Sequence, residues 1–67
     1  MVRLRIKEVA QIKGYTMNSL SRASDISLNT IKRLWKQPYS GVQVATLYKL
    51  ARVLQVNINE LTEYEED

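Results

Sequence analysis

Residues 13–34 read KGYTMNSLSRASDISLNTIKRL, and the spacing inside this stretch decides the fold. Thr16 is a residue type that caps a helix through its hydroxyl, and Leu20 and Ala23 then form an inward stripe on a segment of about seven residues. Asp25 follows at a turn, tolerating a left-handed backbone better than most residues other than glycine. Ser27 caps a second helix, expected over 28 to 36, which puts Ile31, Leu34 and Trp35 on one side. Two short helices joined by about three residues fit a helix-turn-helix, whose second helix enters a DNA major groove, and equally a generic helical hairpin. Geometry alone leaves both open.

The outer face of the second helix bears on that choice. At 100° per residue, Leu28, Lys32, Lys36, Asn29 and Arg33 span an arc of about 140°. Its polar members are types that bond base edges or neutralise phosphates, and no acid occurs from residue 27 to residue 40. A face selected only for solubility would mix Glu with Lys, so a polyanion is favoured over a solvated face that happens to be basic.

Composition bounds the rest. At 67 residues the chain is expected to be one domain, spanning 1 to 67, with a core only just large enough to offset chain entropy. Cysteine and histidine are both absent, which excludes disulfides and leaves almost nothing to bind a transition metal; no cofactor is implied. General acid–base or nucleophilic chemistry would have to draw on scattered Glu, Lys and Tyr, so an enzyme is not expected. No run nears the roughly 18 apolar residues of a membrane span, and MVRLRIKEV lacks a signal peptide's apolar segment, so a cytoplasmic protein is expected. The net charge is +3, but four of the seven acids fall in EYEED at residues 63 to 67, leaving ten basic residues against Glu8, Asp25 and Glu60. The body is distinctly basic, which suits a polyanionic partner and, more blandly, solubility.

Along the remaining chain, VRLRI alternates as a short strand does, with Val2, Leu4 and Ile6 on one side and Arg3 and Arg5 on the other. A helix is expected from 6 to 13, ended by Gly14. Residues 37 to 43 hold the single proline and the second glycine and read as a surface loop. Val44, Leu47, Leu50, Ala51 and Leu54 form the stripe of a further helix, and after a break at 55 to 57 one more helical turn inserts Ile58 and Leu61.

KGYTMNSLSRASDISLNTIKRL followed by TLYKLARVLQVNINEL (46–61) resembles the Cro/C1-type, lambda-repressor-like helix-turn-helix family (XRE family), particularly its small single-domain members. The resemblance runs from about residue 6 to residue 61 and implies an all-α, five-helix bundle, extended in some members by a short antiparallel strand pair from the two termini. VRLRI and LTEYEE fit such a pair, with Arg3 and Arg5 facing Glu63 and Glu65; the alternative is a disordered acidic tail over 63 to 67. It implies a sequence-specific regulator of transcription, expected to be a repressor on the nucleoid, binding double-stranded DNA as a homodimer on a pseudo-palindromic operator.

Carried over residue by residue, the resemblance assigns base contacts to Leu28, Asn29, Lys32 and Arg33. Asn29 suits adenine, and Arg33 guanine or a phosphate; Leu28 either meets a thymine methyl or packs across the helix toward Trp35. Phosphate contacts fall to Thr16, Met17, Asn18, Ser27, Lys36, Gln37, Tyr39, Ser40 and Gln43. Met17 stands where the family commonly has glutamine and cannot supply that hydrogen bond, so Thr16, Asn18 and the amides at the helix start are expected to replace it. Tyr39 has a second reading, as a shield over Trp35. Ala10 and Trp35 stand where many members carry an internal Arg–Glu pair; the paired loss is coherent, and Trp35 is expected in the core. Asp25 and Gln55 occupy places where glycine is frequent. A homodimer would rest on Ile58, Leu61 and Tyr64, with Tyr48 beside them, unless these residues simply finish the monomer core. The competing function is a protein-binding accessory or antitoxin-like module built on the same bundle.

Overall fold

The computed structural model describes residues 1–66. Chain order is strand β1 (Val2–Leu4), helices α1 (Ile6–Ile12), α2 (Met17–Ser24), α3 (Leu28–Lys36) and α4 (Val44–Leu54), a 3-10 turn (Ile58–Leu61) and strand β2 (Thr62–Tyr64). The chain is thus an all-α domain with a terminal strand pair, and the expected fifth helix is a single 3-10 turn. Four residues suffice there because the Glu60 carboxylate accepts the Asn57 N–H at 2.9 Å and Leu61 is already inside the core.

Local signals set the boundaries of α2 and α3. Thr16 Oγ1 accepts the Ser19 N–H at 3.1 Å and Ser19 Oγ accepts the Thr16 N–H at 2.8 Å, a reciprocal capping box. Asp25 ends α2 in the left-handed region at φ 57°, and Ile26 behind it is buried. The turn is locked twice, by the Ile26 N–H on Ser21 O and by the Ser21 hydroxyl on Ile26 O. Ser27 Oγ then accepts the Thr30 N–H at 3.3 Å and starts α3. A buried side chain in the middle of a three-residue turn fixes α3 against α2 as a rigid pair.

One apolar cluster joins all the helices: Ile6, Val9 and Ala10 from α1, Leu20 from α2, Ile31 and Leu34 from α3, Leu47, Leu50, Ala51 and Leu54 from α4, closed by Leu4, Ile26 and Leu61. Three residues expected on inward faces lie elsewhere. Ala23, in the last turn of α2, is exposed, and Ser24 is the buried residue there. Val44 is 61% exposed, because the first residue of α4 precedes the turn that reaches the core, and Val42 packs there instead. Trp35 is half-buried at the rim: one part packs against the core, and the rest walls a surface concavity with Lys7, Gln11 and Pro38. Ala10 is fully buried, and removing the ion pair leaves a small side chain rather than a tryptophan-sized hole.

The termini pair antiparallel in the register Val2↔Tyr64, Arg3↔Glu63, Leu4↔Thr62. Met1 and Glu65 exchange backbone hydrogen bonds at 2.8 Å, and the Arg5 N–H donates to Leu61 O at 2.8 Å. This register places Met1, not Arg5, opposite Glu65, so the expected Arg5–Glu65 pair does not form. Arg3 lies 3.7 Å from Glu63 and 2.8 Å from Glu8, and its hydrogen bond to Glu8 holds its guanidinium above the ordinary arginine value. Val2 runs past the end of the core and is half exposed. Within 63 to 66 the acidic segment begins as strand; Asp67 lies outside the described residues. No described helix is long and apolar enough to cross a membrane.

Candidate nucleic-acid interface

On α3, Asn29, Lys32, Arg33 and Lys36 present an accessible polar edge, and Leu28 is half-buried beside them. Leu28 is not among the side chains packed on the core, which leaves the contact with a thymine methyl open to it. The only ion pairs among the described residues are those of Arg3, so Lys32, Arg33 and Lys36 carry charges that no described carboxylate answers. An uncompensated cationic ridge on a helix fixed by a buried turn is what a polyanion needs, since its phosphates supply the missing counter-charge.

Arg33 is less free than its exposure implies. Its Nη1 donates to the carbonyl of Gly41 at 2.8 Å, across the cleft between α3 and the loop that leads into α4. Nothing local in the sequence announces this bond, because its acceptor is a backbone carbonyl eight residues on.

The expected phosphate contacts divide into three groups. Asn18, Lys36, Gln37 and Gln43 are accessible. Thr16 and Ser27 are exposed too, but their hydroxyls cap the helices they begin. Three others are placed differently from expectation. Met17 packs against the core, as an unbranched apolar side chain does when a polar one is missing. Tyr39 does not keep a free hydroxyl: its O–H donates to Glu65 Oε2 at 2.8 Å. Ser40 Oγ is buried without a hydrogen-bond partner, so its hydroxyl is turned away from any approaching phosphate.

The start of α4 adds backbone donors that side-chain reasoning misses. Gln43 caps α4 with its backbone only; its carbonyl accepts from Thr46 and Leu47, and no side chain bonds the amides of Val44 and Ala45. Such amides at a helix start favour an anion. Lys7, which no sequence signal singles out, lies beside Lys36 in the concavity walled by Trp35.

Among the expected dimer residues, Leu61 is 0% exposed and has no surface to offer a second copy, because the 3-10 turn folds it under α1 and α4. Ile58 is half-buried against the core, whereas Tyr64 is 75% and Tyr48 60% exposed. No group of three or more acidic, histidine or cysteine side chains among the described residues could hold a metal ion.

A search of curated proteins finds no match for the chain. A scan against family models matches residues 5–67 to the Cro/C1-type HTH DNA-binding domain, a span that takes in all four α-helices, the tight turn and the basic arc. With the matched span covering nearly the whole chain, and the helix pair and its acid-free outer face in the places that fold requires, this chain belongs to the Cro/C1-type helix-turn-helix DNA-binding family.

Proposed function

We propose that this protein is a sequence-specific transcriptional repressor that inserts α3 into the major groove and acts as a homodimer on a pseudo-palindromic operator, on the nucleoid in the cytoplasm. One observation carries the reading: the accessible arc of Asn29, Lys32, Arg33 and Lys36 without a single acid, on a helix whose position is locked by Ile26. Asn29 pairs with adenine through its amide, Lys32 meets guanine, and Leu28 packs on a thymine methyl. Lys36, Gln37, Asn18 and Gln43 hold phosphates, with the amides that open α2 and α4. Two copies are needed because one recognition helix covers only a few base pairs. Repression comes from position, the bound dimer occupying sequence that polymerase needs.

Selection of duplexes from a randomised pool, followed by affinity measurement against salt, tests this reading. A preferred duplex with two-fold symmetry is expected, its affinity falling steeply between about 50 and 200 mM salt. Asn29→Ala should relax preference at one base pair per half-site, while Lys36→Ala should weaken all sequences alike. Recovery of no duplex tighter than random DNA sinks the reading. It would leave the protein-binding alternative, which draws on Met17 being packed inward rather than offering a phosphate contact.

A further inference from the structure

We infer that Arg33 is a positioning residue for the DNA interface: it clamps the loop between α3 and α4 through the Gly41 carbonyl and does not read a base. The inference rests on the DNA-binding reading above. The first half of the loop is tied to the terminal strands, Pro38 O accepting the Leu4 N–H at 2.6 Å, and to itself, the Ser40 N–H donating to Gln37 O at 3.0 Å. For Gly41 and Val42 the Arg33 bond at 2.8 Å is the one hydrogen bond among the described residues. Packing does not replace it at Gly41, where a Cβ would meet nothing within 4 Å, whereas Val42 beside it is also held against the core.

Immediately beyond the clamp lies functional surface. Two residues past Gly41 stand Gln43, whose side chain is free, and then the uncapped amides of Val44 and Ala45. Arg33, Gly41, Gln43 and Thr46 line one cleft of about 580 Å³, so the path of residues 41 to 43 sets the direction in which Gln43 faces a phosphate. The guanidinium itself is compromised as a reader. Bidentate recognition of guanine needs the planar fork aimed at a base edge, whereas the Nη1 bond holds the guanidinium plane toward the loop carbonyl. A rigid planar fork suits a clamp well, because little rotamer freedom is lost per bond formed.

The test compares the full-length wild type, Arg33→Ala, Arg33→Lys, Gln43→Ala and the double variant Arg33→Ala/Gln43→Ala, using the duplex that the wild type selects and its single-base variants. Arg33→Ala is expected to lower affinity for every duplex by about tenfold, in line with a hydrogen bond from a charged donor, with the base-preference profile unchanged. The Gln43 loss should shrink in the Arg33→Ala background, because a loop already released gains little from its side chain. In the free protein, backbone order parameters at Gly41 and Val42 should fall in Arg33→Ala and recover in part in Arg33→Lys, whose ammonium also donates to the carbonyl. Loss of preference at one base pair, strictly additive losses, or unchanged order parameters in free Arg33→Ala would each overturn the assignment. A wild type that selects no duplex overturns the DNA-binding reading itself, a failure told apart by the order parameters, which need no DNA.

Discussion

Tyr39 changes role between its sequence context and its place in the fold. In a basic loop beside a recognition helix it reads as a phosphate contact, yet its hydroxyl is committed to Glu65 at 2.8 Å. That bond requires the phenolic proton, and the adjacent carboxylate also opposes a phenolate, so the Tyr39 pKa is raised above the ordinary tyrosine value. A raised folded-state value means that the stabilisation is fully present below the unfolded-state pKa and is lost as pH climbs through the folded one. Ultraviolet titration of the four tyrosines should therefore show a late phenolate component that disappears in Tyr39→Phe. A wild-type curve superimposable on the variant's after scaling for one tyrosine fewer would show that the Tyr39 hydroxyl is not held by Glu65. Gln55 invites a simpler test. It ends α4 at φ 57°, ψ 47°, where a side chain costs roughly 1 kcal/mol that glycine does not. Glycine returns part of this through its freer unfolded chain, so Gln55→Gly should gain about 0.5 kcal/mol in chemical denaturation. Asp25→Gly, at the same φ, should gain less, because aspartate accommodates the left-handed region better.

At the scale of elements, the helix pair was legible because everything that makes it is local. A capping hydroxyl, a left-handed aspartate, an apolar residue in the turn and a second capping hydroxyl occur in order between Thr16 and Ser27, and each acts on its immediate neighbours. The caps are separable in energy. Thr16→Ala should cost about 1 kcal/mol, since it removes a cap bond of 3.1 Å to the Ser19 N–H, and Ser27→Ala less, since its bond to the Thr30 N–H is longer at 3.3 Å. Equal losses on thermal or urea unfolding would show that the length of the cap bond does not set its contribution. The features that stayed unread depend on distant partners. Alternation in VRLRI marks a strand but not its register, and the register, anchored by Met1 against Glu65, decides that Arg3 meets Glu63 while Arg5 meets no acid among the described residues. Periodicity put Val44 and Trp35 on inward stripes, yet each lies at the end of its helix, where neighbouring elements no longer cover it. The interface divided the same way: the accessible arc of α3 comes from helix periodicity, whereas the engagement of Arg33, Tyr39 and Ser40 depends on where a loop comes to rest.

For the molecule as a whole, the folding core and the proposed self-association surface come together at the 3-10 turn and β2, and two residues three positions apart tell them apart. A chain of 67 residues has little stability to lose, on the order of 5 kcal/mol for a domain this small. Leu61 is completely enclosed between α1, α4 and β2, so Leu61→Ala should cost about 2–5 kcal/mol and leave much of the population unfolded whether or not the protein is a dimer. Tyr64, three residues on, is 75% exposed, and its truncation should change monomer stability by no more than about 0.5 kcal/mol. If Tyr64 and Tyr48 form the surface that holds two copies together, Tyr64→Ala and Tyr48→Ala should lower the weight-average mass in sedimentation equilibrium toward one chain. Their affinity for a symmetric duplex should then approach that for a single half-site, since each recognition helix would again act alone. Unchanged mass and unchanged preference for the symmetric duplex in both variants would move the dimer contact off this face and onto the remaining exposed apolar surface, where Ile12 and Val44 are fractionally the most exposed.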